Sequence, residues 1–69
     1  MTDRLWPGAD GQPIACREKL RVLADNEAEA RQVLQDAFED AILMGVDEQA
    51  ARDAFLALVA GLRSPKASR

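Results

Sequence analysis

The sequence has no histidine and a single cysteine, Cys16. One cysteine excludes an intramolecular disulfide, and a structural zinc site requires four Cys or His ligands. The usual general base of nucleophilic catalysis is missing as well, because histidine most often takes that role. We therefore expect no enzyme, no metal and no cofactor. Cys16 is predicted to be a buried apolar residue, with a reactive thiol as the alternative.

Long apolar runs are also absent, and none approaches the roughly 20 residues of a membrane span. Residues 1–6 carry one arginine and are followed by no apolar stretch, unlike a signal peptide. A lone cysteine without a disulfide partner is typical of a reducing compartment. The expectation is a cytoplasmic protein that makes no membrane contact.

Positive charge is scarce, since the net charge is −3 and the pI is about 4.7. Nucleic-acid-binding domains usually carry a basic patch, so a nucleic acid partner is not expected. The basic residues are clustered: Arg17, Lys19 and Arg21 share one segment, whereas residues 25–40 hold six acids and only Arg31. This asymmetry indicates either solvated helix faces or a docking surface.

Strand signals are lacking, while alanine is abundant and apolar residues recur at helical spacing. Pro13 suits a first helical position, and Asn26 followed by Glu29 resembles a capping box. Gly45 is typical of the left-handed residue that ends a helix, and Asp47 of an N-cap. These signals predict helices at about 13–25, 27–44 and 48–63, after an irregular arm (1–12) and before a flexible tail (64–69).

The predicted fold class is all-α, a three-helix bundle with the arm packed on it. A bundle this small lacks the material to enclose a pocket of about 300 Å³, so no small-molecule substrate is expected. The predicted core follows the apolar faces of the three helices. It consists of Cys16, Leu20, Leu23, Val33, Leu34, Ala37, Phe38, Ala41, Ile42, Ala51, Phe55, Leu58, Val59 and Leu62.

A second architecture fits the same pattern. Positions 16, 20, 23, 27, 30, 34, 37, 41 and 44 form a heptad series, and no Gly or Pro interrupts residues 14–44. The first two helices could thus be one long helix that forms a hairpin with the last one and has to dimerise. Glu27 at a seam position and the poor helix formers Asp25 and Asn26 favour the break instead.

The apolar residues outside the predicted core suggest where a partner could dock. Trp6 is the only tryptophan, and Val22, Leu43 and Leu56 fall on polar helix faces. We expect a small non-catalytic protein-interaction module, accessory or regulatory, with these four residues as its possible partner surface. The alternatives are a structural homodimer joined through the heptad seam and a DNA-binding regulator.

Overall fold

The computed structural model describes residues 4–66. It contains two helices, α1 (Arg17–Leu43) and α2 (Glu48–Ala60), and no strand within those residues. The predicted three-helix bundle is therefore wrong. The long helix followed by a short one fits the second architecture, a helix hairpin.

Helix α1 continues through Asn26, where a break was predicted. Asp and Asn each cost at most about 0.7 kcal/mol relative to Ala inside a helix. Ending the helix and starting another would instead require a second nucleation, which is unfavourable by about three orders of magnitude. Glu27, the seam residue that favoured a break, is paired with Arg4 and Arg31. The helix therefore continues through the capping residues, because the apolar periodicity on both sides of them is uninterrupted.

The start of α1 also differs from the prediction, because the helix begins at Arg17 and not at Pro13. Residues 13–16 are held by the arm instead. The Ile14 N–H donates to the Trp6 carbonyl oxygen at 2.7 Å, a bond between two extended segments. The Leu20 N–H donates to the Cys16 carbonyl oxygen at 3.0 Å, so the first helical hydrogen bond accepts at the residue before Arg17.

The turn between the helices has the conformation that its sequence predicts. Gly45 has a φ of +100°, which confirms the left-handed helix-ending residue. Its N–H donates to the Ile42 carbonyl oxygen at 3.0 Å, and the Val46 N–H donates to that of Ala41 at 2.9 Å. This pair of bonds is the Schellman motif. Asp47 is confirmed as the N-cap of α2, because its Oδ2 accepts the Ala50 N–H at 3.0 Å.

The chain divides into two compact units, Met1–Val33 and Leu34–Arg69. We call the first the arm unit, since it joins the N-terminal arm to the beginning of α1. The second, the hairpin unit, contains the end of α1, the turn and α2. Residues 67–69, the end of the predicted flexible tail, lie outside the described residues.

Burial is much lower than the predicted core requires. Within residues 4–66, Ala51 alone is fully buried. Seven other predicted core residues are half-buried: Leu20, Leu23, Ala37, Phe38, Ala41, Ile42 and Phe55. The remaining six are exposed, so their assignment to the core is wrong: Cys16, Val33, Leu34, Leu58, Val59 and Leu62. The reason is that the third helix that would have covered them does not exist.

Over the described part of the chain, no helix combines the length and the apolar character that crossing a membrane requires.

Candidate functional site

The N-terminal arm forms a tight loop that folds back on itself. An isolated antiparallel bridge joins Pro7 to Pro13, and the Gly8 N–H donates to the Gln12 carbonyl oxygen at 2.6 Å. Asp10 Oδ1 accepts the Gln12 N–H at 3.0 Å. A Cβ atom on Gly8 would lie 2.9 Å from that Oδ1 and 3.0 Å from the Gln12 oxygen. A larger residue here would require the Asp10 carboxylate to move and the backbone at Gln12 to give way slightly, so the loop favours glycine at this position.

A bidentate ion pair attaches this arm to α1. Arg4 Nε and Nη2 donate to Glu27 Oε1 and Oε2 at 2.9 and 2.7 Å. Arg31, one helical turn further along, donates to the same Oε2 at 3.0 Å. The parallel two-bond geometry is the strong form of an Arg–carboxylate contact. It holds the arm against the helix 23 residues away in sequence.

Electrostatics around Glu27 favour its charged form. The hydrogen bond from Arg4 holds the pKa of the Glu27 carboxyl below its ordinary value, and the charges of Arg4 and Arg31 act in the same direction. The same hydrogen bond raises the pKa of the Arg4 guanidinium. The attachment of the arm therefore depends on an ionised Glu27.

Between the arm and α1 lies an open groove of about 760 Å³. Its apolar floor comes from both segments and includes Trp6, Ile14, Leu20, Ala24 and Ala28. The indole of Trp6 is half-buried there, with the Arg4 guanidinium carbon 5.7 Å from the ring centroid. The arm supplies the second wall of this groove, which is open to solvent and so is not the enclosed pocket that the sequence argues against.

Charge along the rim of the groove is strongly positive. Four guanidinium groups line it against the single carboxylate of Glu27: those of Arg4, Arg17, Arg21 and Arg31. This local excess of cations contrasts with the net charge of −3 for the whole chain. The groove thus combines an apolar floor with a cationic rim, which is the chemistry for binding an anionic ligand that also has apolar groups.

The four residues of the predicted partner surface are divided between the two units. Trp6 lines the groove, and Val22 lies with Ile14 and Leu23 in a second, shallower apolar depression of the arm unit. Leu43 and Leu56 belong to the hairpin unit, where both are exposed. Their joint role as a partner surface stays a prediction.

Sequence reasoning missed the arginine rim. Residues 17, 21, 24, 28 and 31 have the spacing i, i+4, i+7, i+11 and i+14, which places them on one face of a continuous helix. Breaking the helix at Asn26 assigned Arg31 to a different helix from Arg17 and Arg21. The helical spacing of the arginines is present in the sequence, but it places them on one face only if α1 is continuous.

Cys16 lies just before the first residue of α1, and its thiol is exposed. Hydrogen bonds from the backbone N–H groups of Lys19 and Glu18 lower the pKa of this thiol. The prediction of a buried, inert side chain is therefore wrong on exposure. In the described segment, 4–66, no three Cys, Asp or Glu side chains come close enough to hold a metal ion.

No known protein family matches this chain, and neither does any characterised protein or solved structure.

Proposed function

We propose that this chain is a small, non-catalytic protein-interaction module that self-associates through an apolar stripe on α2. The stripe consists of Ala51, Phe55 and Leu58, spaced i, i+4 and i+7 on one face of α2, together with Leu62, which follows the end of the helix. Exposure rises along it, from 3% at Ala51 to 65% at Leu58 and 77% at Leu62. This half-covered stripe is the observation that carries the proposal.

A hairpin of one long and one short helix with so little burial needs a further source of stability. Domains of this size usually gain it from disulfides, metals or oligomerisation. The only cysteine is a free thiol, and the described residues offer no metal cluster. Burying Leu58, Leu62 and the adjacent Val59 against another chain would contribute about 1–2 kcal/mol per side chain. Self-association supplies this burial without a second gene product.

The charges of α2 favour a second copy in antiparallel orientation. Asp47 and Glu48 stand at the start of the helix, while Arg63 and Lys66 follow its end. A twofold axis would place the acidic end of one α2 beside the basic end of the other. The helix dipoles would oppose each other in the same arrangement. Such a surface is complementary to itself.

Two leucines of nearly equal exposure provide a matched test of the stripe. Leu58 lies on it, and Leu56, 64% exposed, points about 160° away on the same helix. Sedimentation equilibrium over about two orders of magnitude in concentration is expected to show a monomer–dimer equilibrium. Leu58→Glu should weaken dimerisation about 100-fold, because symmetry removes two buried leucines. Leu56→Glu should leave it nearly unchanged.

Reversing the charges at the two ends of α2 tests whether they contribute to dimerisation. Glu48→Arg and Arg63→Glu should each weaken the dimer a few-fold, and the double variant should restore it. A wild-type chain that stays monomeric at every concentration would contradict self-association. Equal effects of the Leu56 and Leu58 variants would show that the stripe is not the interface.

A cytoplasmic location is part of the same proposal. Its support is the exposed lone thiol of Cys16, which is compatible with a reducing compartment.

A further inference from the structure

We propose that the groove of the arm unit binds an extended, acidic peptide segment of another protein. The proposal goes beyond self-association, since it concerns the arm unit and uses none of the residues of the α2 stripe. Three properties of the groove carry it: the charge of its rim, the apolarity of its floor and its length.

Rim charge selects an anionic partner. Arg17, Arg21 and Arg31 line one face of α1, and Glu27 is already occupied by Arg4 and Arg31. Guanidinium groups bind carboxylates through paired N–H donors, and the partly desolvated wall of a groove strengthens that contact. Aspartate or glutamate side chains are the protein groups that this rim complements.

Floor chemistry selects a peptide over a simple anion. Trp6, Ile14 and Leu20 offer apolar surface between the arginines. A bare phosphate or sulfate would leave that surface in water, whereas a peptide with alternating side chains would cover it. In an extended strand successive side chains point to opposite sides, so acidic residues can face the rim while apolar ones face the floor.

Groove length sets the size of the occupant. The lining runs from Arg17 to Arg31, about 21 Å along α1 at 1.5 Å per residue. An extended segment of about six residues, at about 3.3 Å per residue, spans this length.

The test uses the intact chain and its only tryptophan, Trp6, which lines the groove. An eight-residue peptide of alternating glutamate and valine is titrated while Trp6 emission and calorimetric heat are followed. Saturable binding that weakens with added salt is expected. Two control peptides, with lysine for glutamate or serine for valine, should bind at least about tenfold more weakly.

A matched pair of charge reversals locates the site on the protein. Arg21→Glu removes a rim charge and should weaken peptide binding about tenfold. Lys19→Glu makes the same charge change two residues away, at a position outside the groove lining, and should change binding less than about twofold. Arg17→Glu is the second rim variant, and circular dichroism confirms that each variant keeps its helices.

Several results would overturn the proposal. These are no binding of the acidic peptide, equal binding of the lysine peptide, or equal effects of Arg21→Glu and Lys19→Glu. Displacement of the peptide by a short single-stranded DNA at lower concentration would assign the groove to nucleic acid instead. Loss of self-association in Arg21→Glu would assign it to a second copy of the chain. If the chain does not dimerise through the α2 stripe, the peptide-binding measurements can still be made and interpreted.

Discussion

Different kinds of contact stabilise each of the two units internally. In the arm unit, a bidentate ion pair between Arg4 and Glu27 attaches an irregular loop to α1. The hairpin unit depends on apolar burial, which is greatest at Ala51 and partial at the rings of Phe38 and Phe55. Exposed ion pairs contribute little free energy but are geometrically specific, whereas apolar burial contributes more and is less directional. The arm unit thus builds a shaped groove, and the hairpin unit leaves apolar side chains of α2 exposed.

The largest effect should come from a charge placed in the apolar contact of the hairpin unit. Ala51→Glu would bury a carboxylate that has no partner, at a cost of about 3–5 kcal/mol. Urea unfolding followed by circular dichroism should show a large loss of stability and of helical signal from α2. Ala57→Glu makes the same substitution at an exposed position of α2 and should change stability by less than about 0.5 kcal/mol. Similar results for both variants would disprove the burial of Ala51.

A smaller effect is expected at the two glycines that bound α2. Gly45 has a φ of +100°, so Gly45→Ala should cost about 1 kcal/mol through backbone strain. Gly61 has a φ of −86°, and a Cβ there would lie 3.5 Å from the Ala57 oxygen, an ordinary contact. Gly61→Ala should therefore stabilise the helix by about 0.5 kcal/mol. Thermal unfolding at a fixed protein concentration measures both, and shifts of the same sign would contradict the turn geometry.

The smallest effect belongs to the ion pair of the arm unit. The pKa of Glu27 is lowered in the folded chain, so its contribution is complete above the ordinary glutamate pKa and is lost as pH falls through the folded value. Trp6 emission should shift to longer wavelength on titration from about pH 7 to about pH 2, because the arm detaches. Glu27→Gln should show the shifted emission already at neutral pH.

A matched neutralisation controls for general charge effects in that titration. Glu29→Gln changes another exposed carboxyl of α1, outside the groove lining, and should leave the wild-type acid transition in place. If Glu27→Gln also retains that transition, a different group governs the attachment of the arm.

Local signals in the sequence were sufficient to predict the turn between the helices but not the number of helices. Gly45 and Asp47 each satisfy backbone groups within a few residues, so their roles follow directly from residue type. Asn26 has equally good capping chemistry, yet it lies inside α1. A capping residue ends a helix only if extending the helix past it is less favourable. The free energy of extension comes from the whole apolar face and not from the capping residue alone.

The groove required information that no helical pattern contains. One of its walls is an irregular loop, and the position of that loop is set by a contact between Arg4 and Glu27, far apart in sequence. Pairings of this kind have no periodic signature. By contrast, the scarcity of burial was foreseeable, because the hairpin architecture already implied a seam that the chain cannot cover by itself.

The bridge between Pro7 and Pro13 also bears on solubility. An exposed extended segment usually presents unpaired N–H groups on which strands of other molecules can assemble into aggregates. Proline has no N–H, and the neighbouring donors on Gly8 and Ile14 are already used within the loop. The arm can therefore stay extended beside an apolar groove in a concentrated solution without nucleating intermolecular sheets.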